Sequence, residues 1–269
     1  MRNAYMTLLS HGDAYVPGIE ALGRSLRSTG TVVPLVLMVT PDISKDTRAR
    51  LSAEGWNVHE VAPLENPHPE KAILFPRFAG VFTKLRAWEQ TDFDKVVLLD
   101  ADTVVLQNID ELFARPQICA APDFFMPDRF NSGVMVLDPS RATLDAMVAA
   151  LGTAASYDGG DQGFLNEFFG DWWAMPVEHR LRAGYNLHHF VFQFLCHHDS
   201  LKANLDKEVK IIHYTLQKPW KVRSTLTGAS QIWWNAYYGA HPEESSALRR
   251  RLHKIEDWTF DHVIDAIAG

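Results

Sequence analysis

Short unbroken apolar runs alternate, in the first part of the chain, with stretches whose apolar residues recur every three to four positions. AYMTLLS predicts a strand, and AYVPGIEALGRSLRSTG follows it with Ile19, Leu22 and Leu26 on one helical face and Gly30 as a stop. VVPLVLMVT predicts a second strand. SKDTRARLSAEG predicts a second helix, with Ser44 as N-cap and Gly55 as terminator, and WNVHEVAPL a third strand. A Pro-rich loop runs to Arg77, and FAGVFTKLRAWEQ predicts a helix leading into the strand KVVLL. Such alternation implies an α/β fold with a mostly parallel central sheet flanked by helices. Ligands bind outside the carboxyl ends of strands in sheets of this kind.

Beyond Asp102 the rhythm loosens. NIDELF predicts a short helix, QICAAPD a short strand, FNSGVMVLDP a strand, DGGDQGFLNEFFGDWW a loop opening a helix, and EVKIIHY a strand ending at His213. No repeat, low-complexity block or linker divides the chain. From Ser224 the sequence is rich in aromatics (Trp233, Trp234, Tyr237, Tyr238) and then carries the basic run Arg249 to Arg251. This predicts one domain over residues 1–223 and an amphipathic helical extension over 224–269 packed on it.

Composition narrows the partners. A chain of 269 residues with 46% hydrophobic and 22% charged residues is globular, and long enough for one large α/β domain. Its net charge of −7 argues against nucleic acid as the main partner, so an anionic substrate requires positive charge concentrated locally. Two cysteines, Cys119 and Cys196, provide neither a disulfide framework nor a Cys-rich zinc site, which fits a reducing cytoplasm. The N-terminus lacks the apolar core of a signal peptide, and no apolar stretch has the length of a membrane span.

The strand KVVLL is followed at once by two aspartates, Asp100 and Asp102. On an extended strand, positions i and i+2 share a face, so the two carboxylates are expected side by side. Two adjacent anions repel, so a cation sits between them or one stays protonated. An EF-hand fails, because Val104 and Val105 occupy positions where that loop needs an oxygen ligand and a glycine. An aspartyl-nucleophile phosphatase, a divalent metal clamped between the acids and a diphosphate, and a plain pair of solvated acids all remain open on this motif alone.

Four blocks in order, FTKLRAWEQTDFDKVVLLDADTVVLQNIDELF, FNSGVMVLDPS, DGGDQGFLNEFF and IIHYTLQKPW, resemble the glycogenin and galactinol synthase family of retaining glycosyltransferases, over about Tyr5 to Trp220. The resemblance implies a single-domain nucleotide-sugar fold, called GT-A, and hexose transfer from a uridine diphosphate (UDP) sugar with manganese. The phosphatase reading falls, since such an enzyme opens its domain on the Asp-x-Asp strand and here three strand–helix units precede it. By the same resemblance Asp100, Asp102 and His213 hold Mn2+, a set that also tolerates Mg2+, with Ala101 between the acids in the donor site. Lys218 meets the diphosphate; Leu8, Ser10 and Tyr15 form the uridine site; Arg77 and Lys84 lie near the donor phosphates and sugar; Asn131 and Ser132 contact the ribose and sugar side. Asp158, Asp161 and Gln162 form a second cluster, in which Asp161 and Gln162 lie beside the transferred sugar and Asp158 either joins them or caps the following helix. Asp161, Gln162 and Lys218 are the implied catalytic residues. The bland alternatives are a core-facing Tyr15, a solvated Lys84 or Lys218, and ordinary turn chemistry at Asn131 and Ser132.

The sequence departs from the family at three places. HYTLQK carries no glycine between His213 and Lys218, so this loop must take a different path. LLSHGDAY is one residue longer than in glycogenin around His11. Finally, Asn186 to His213 contains no tyrosine, which speaks against a self-glucosylating primer; the histidines there (His188, His189, His197, His198) lack partners at zinc-motif spacing. The expected activity is therefore retaining transfer of a hexose, from UDP-glucose or UDP-galactose, to a separate hydroxyl acceptor such as a polyol, a saccharide or a glycolipid head group. A homodimer is compatible with it. A self-glucosylating primer and a catalytically silent sugar-nucleotide scaffold are the competing readings.

Overall fold

The computed structural model describes residues 1–66, 76–153, 156–196, 207–221 and 228–239, the side chains of 76–79 excepted. Arg77, His197, His198 and the run Arg249 to Arg251 thus lie outside the described residues or side chains.

The expected strand–helix units are present: β1 (Asn3–Leu9), α1 (Val16–Ser28), β2 (Leu35–Val39), α2 (Lys45–Ala53) and β3 (Asn57–Glu60). Ser44 caps α2 by accepting the Thr47 N–H at 3.1 Å, and Gly55 ends it at φ +85°. The helical stretch Pro76–Glu89 is wound in 3-10 turns and leads into β4 (Lys95–Leu99). Then come β5 (Thr103–Val105), β6 (Cys119–Pro122), β7 (Phe130–Leu137), α3 (Arg141–Ala150) and α4 (Asp161–Phe168). The last described elements are β8 (Leu187–His188), α5 (His189–Cys196), β9 (Ile211–His213) and α6 (Gly228–Tyr238). No helix among the described residues is long and apolar enough to cross a membrane.

Six strands form the main sheet in the order β3-β2-β1-β4-β7-β6. The pairs β3·β2, β2·β1 and β1·β4 are parallel, whereas β4·β7 and β7·β6 are antiparallel. Alternation along each central strand feeds two separate layers. Tyr5, Leu9, Leu37, Val97 and Leu99 pack with Ile19, Leu22 and Leu26 of α1. Met6, Val36, Met38, Val96 and Leu98 pack on the other face with Phe82, Leu85 and Trp88 and with Leu144 and Met147 of α3. This double coverage explains why the strands read as continuous apolar runs.

The chain runs outward from β1 to β3 and then returns to lay β4 on the other side of β1. The strand order reverses there, which opens a crevice at the carboxyl ends of β1 and β4. A second, three-stranded sheet, β5-β9-β8, abuts this crevice, with β9 antiparallel to β5 and parallel to β8. Asp100 to Asp102 form the turn that joins the two sheets.

Candidate active site

The paired acids are built differently from the strand-face expectation. Strand β4 ends at Leu99, so alternation along a strand does not align the two carboxylates. The turn is instead pinned from three sides. The Asp100 N–H donates to Gly133 O at 2.8 Å, the Tyr214 N–H donates to Asp102 O at 2.8 Å, and Thr103 Oγ1 donates to Asp100 O at 2.8 Å. α1 presses close as well: a Cβ on Gly18 would lie 2.2 Å from Ala101 O, so this position requires glycine.

His213 reaches the acids from the small sheet. It pairs with Thr103 across β5·β9, and its Nε2 lies 3.2 Å from Asp102 Oδ1 and 3.8 Å from Asp100 Oδ2. Its Nδ1 faces Asn186 Oδ1 at 2.9 Å, while Asn186 donates to Asn131 Oδ1 at 2.8 Å. The second ring nitrogen therefore has a fixed partner, as metal-binding histidines usually do. Gly133 leaves room for the ring; a Cβ there would lie 2.4 Å from His213 Cε1. The three side chains bring one ligand atom each to within 4.8 Å of one another. Two carboxylate oxygens and one imidazole nitrogen suit a borderline-hard divalent ion that keeps further positions for phosphate oxygens, so the residues present fit Mn2+ or Mg2+.

Two lysines balance the charge. Lys84, with its side chain 12% exposed, places Nζ 2.8 Å from Asp100 Oδ1 and 2.7 Å from Asp161 Oδ2. Lys218 Nζ pairs with Asp102 Oδ2 and donates to Tyr214 O at 2.8 Å. Neither is a solvated surface lysine. The two acids consequently differ. Burial pushes the Asp100 carboxyl up, and the neighbouring Asp102 and Asp161 add to that against Lys84 and His213. Burial pushes Asp102 in the same direction, but Lys218 and His213 outweigh it and hold the carboxyl well below its ordinary range. For Lys84, burial works against the charged form, yet Asp100 and Asp161 prevail and raise its pKa.

Asp161 opens α4, behind the N-cap Gly160. Its Oδ2 accepts from Lys84 and, at 2.9 Å, from Ser132 Oγ. Gln162 accepts the Ser132 N–H at 3.3 Å and donates to Asp123 Oδ2 at 3.2 Å and Tyr157 Oη at 3.1 Å. Asn131 and Ser132 lie within β7, so turn chemistry does not account for them. Asp158 reaches the cleft wall, but its Oδ1 accepts the Gly160 and Gly163 N–H groups at 2.8 and 3.1 Å, which makes it a cap for α4.

These contacts order the site along one cleft of about 710 Å³. Tyr15 stands at one end, with Lys218 Nζ 5.8 Å and Lys221 Nζ 5.6 Å from its ring centre. Next come Asp102 with His213, then Asp100, Lys84, Asp161 and Gln162. Leu8, near the end of β1, and Ser10, just past it, line the same cleft. Tyr15 is only half-buried and meets Trp220 edge-on at 5.6 Å. Two non-glycine residues of the lining adopt left-handed backbone, His11 at φ +58° and Leu216 at φ +66°. Leu216 is where the glycine-free loop turns.

Sequence reasoning missed Asp123, Asn186 and Tyr157, all joined to the site by hydrogen bonds. Asp123 follows the last residue of β6, and a strand end was the available signal. Asn186 offered none, because it acts through His213 from far along the chain.

Comparison with known proteins agrees with this geometry. Residues 92–223 match the nucleotide-diphospho-sugar transferase family. The chain is 36% identical to inositol phosphorylceramide glucuronosyltransferase 1 of Arabidopsis thaliana, over 93% of the chain and 46% of that protein. It is 35% identical to glycogenin-1 of Oryctolagus cuniculus, over 87% of the chain and 75% of that protein. The chain spans about half the length of several relatives it matches, at 46% and 57% for two of them. Among solved structures, the galactosyltransferase LgtC in complex with donor and acceptor sugar analogs superposes with a TM-score of 0.60 at 19% identity, over 87% of this chain and 95% of that one. That likeness establishes the GT-A fold.

Proposed function

Since the chain belongs to the glycogenin family of glycosyltransferases, we propose that it transfers a hexose from a UDP sugar to a separate hydroxyl acceptor with retention of configuration. The observation that carries this reading is the order of groups along the cleft: an aromatic ring, a lysine, an Asp-Asp-His cluster, and then a lysine-held aspartate. That order matches base, diphosphate and sugar. Asp100, Asp102 and His213 would hold Mn2+ or Mg2+, which when bound supplies positive charge to the diphosphate oxygens.

The chain's own groups do the rest. Tyr15 offers an aromatic face to the base. Lys218 sits where negative charge grows on the leaving phosphate as the glycosidic bond breaks. Asp161, its Oδ2 held by Lys84 and Ser132, places a fixed negative charge where the anomeric carbon becomes positive. A carboxylate so engaged favours stabilising over attacking, which supports front-face substitution. The bond from the anomeric carbon to the phosphate oxygen breaks, the bond to the acceptor oxygen forms on the same face, and the acceptor's proton passes to the departing phosphate oxygen.

A neutral hexose suits the sugar end, where Asp161 is joined through Ser132 and Gln162 to Asp123, and where Lys84 is already shared by two acids. The stretch Asn186 to His213 lacks a tyrosine, which supports a separate acceptor. The test is a donor-hydrolysis screen with Mn2+ across UDP-glucose, UDP-galactose, UDP-glucuronate and UDP-N-acetylglucosamine, followed by intact-protein mass spectrometry. Turnover of glucose or galactose donors with no mass added to the protein is the expected result. A preference for glucuronate overturns the neutral-hexose reading, a ladder of hexose additions overturns the separate acceptor, and no turnover of any donor overturns the activity.

A further inference from the structure

Helix α6 contributes no residue to the cleft lining, yet it holds the loop that does. Its Trp233 is fully buried and lies against Trp220, ring centres 5.2 Å apart and planes 33° from parallel. Trp233 also stacks on Tyr237, at 5.2 Å and 13°. Trp220 in turn donates its indole N–H to Ala14 O at 2.9 Å and meets Tyr15 edge-on. Gly18 comes so close to Trp220 that a Cβ would lie 3.0 Å from Cη2. Tyr214 Oη donates to Ala229 O of α6 at 2.5 Å, while the carbonyl of the same residue accepts from Lys218 Nζ at 2.8 Å. Both ends of the segment from Tyr214 to Trp220 are therefore fastened to α6, and Lys218 stands between them.

Among the described residues, the buried indole N–H of Trp233 has no hydrogen-bond partner. A buried unpaired donor is costly, and phenylalanine would avoid that cost only by giving up ring width. The presence of tryptophan points to a demand for the full width of the ring against Trp220.

We propose that α6 is a buttress of the donor site, in which Trp233 is a positioning residue that sets Trp220 and, through it, Tyr15 and Lys218. This rests on the reading that the cleft takes a UDP sugar. Affinity for the nucleotide diphosphate is then governed in part by a helix that never touches it.

The experiment is calorimetric titration of UDP, with Mn2+ present, into wild type and three variants, each below its own unfolding midpoint. Trp233→Ala is expected to weaken UDP binding by about tenfold or more, as loss of one well-placed charge-assisted contact does. Trp233→Phe, which keeps a narrower ring against Trp220, should weaken it by an intermediate amount, about three- to fivefold. Leu51→Ala, buried in α2 away from the cleft, should lower the thermal midpoint yet leave UDP affinity within about twofold. Donor kinetics should show the effect of Trp233→Ala mainly in KM. If wild type binds UDP and Trp233→Ala binds it equally well, the buttress is refuted while the activity stands. If wild type does not bind UDP, the reading of the cleft falls and takes this inference with it. If Trp233→Ala does not fold, equal weakening by Trp233→Phe and Leu51→Ala would refute the specific role.

Discussion

Replacing Lys84 with methionine tests the electrostatic core of the site. Lys84 lies between Asp100 at 2.8 Å and Asp161 at 2.7 Å, with most of its side chain out of water. Lys84→Met keeps the stem's bulk but leaves both carboxylates facing each other without their shared cation. Breaking a buried ion pair from one side costs about 3–5 kcal/mol. Unfolding entropy near 2.1 cal/mol/K per residue gives about 0.56 kcal/mol/K for 269 residues, so Tm should fall by roughly 5–9 °C. The pH dependence follows from direction alone. The folded pKa of Lys84 is raised, so its contribution is fully present below the unfolded lysine value and is lost as pH rises through the higher folded one. Across neutral pH the deficit of the variant should therefore be flat. Toward about pH 5 it should shrink, because Asp100, already pushed up by burial, takes up a proton more readily once Lys84 is gone. Circular-dichroism melts in chelator at a series of pH values read this directly. A fall of less than about 2 °C at neutral pH would match a surface pair and refute the reasoning.

Three further outcomes are expected. Asp161→Asn should slow transfer by orders of magnitude yet leave UDP affinity nearly unchanged, whereas Lys218→Ala should weaken UDP binding as well; equal loss of UDP affinity in both, by calorimetry, would place Asp161 at the wrong end of the donor. Leu216→Gly removes a left-handed non-glycine residue that is 52% exposed and should raise Tm by about 1–2 °C, a net gain of roughly 0.5–1 kcal/mol after glycine's own entropic cost; a lower Tm would show that the turn is unstrained. Burial pushes the Cys119 thiol up to about 11, so native protein at pH 8 should leave it unalkylated by iodoacetamide until guanidinium is added, as peptide mass mapping would report.

The sheet was legible wherever the periodicity was strong. Continuous apolar runs marked β1, β2 and β4 because those strands are covered on both faces. Strands β5 and β8 escaped notice, being three and two residues long and made by pairing with distant β9. The metal-type cluster was visible as residue types, but its geometry was not: a turn between sheets, rather than strand alternation, brings Asp100 and Asp102 together. The glycine-free HYTLQK turns at Leu216, which takes the left-handed conformation itself. Asn186 and Asp123 stayed hidden because their roles depend on contacts with residues remote in sequence, such as the His213–Asn186 bond.

The turn between the sheets also sets an order of events during synthesis. Lys218 lies 116 residues beyond Asp102, so at about 5–20 residues per second it leaves the ribosome roughly 6–23 s later. His213 arrives at nearly the same moment. Throughout that interval the aspartate pair has emerged while two of its partners have not. Lys84 precedes the pair in the chain and is available from the start. The nascent main sheet can thus close over Asp100 with its counter-ion in place, while Asp102 waits, at the open edge of the turn, for the small sheet to be made.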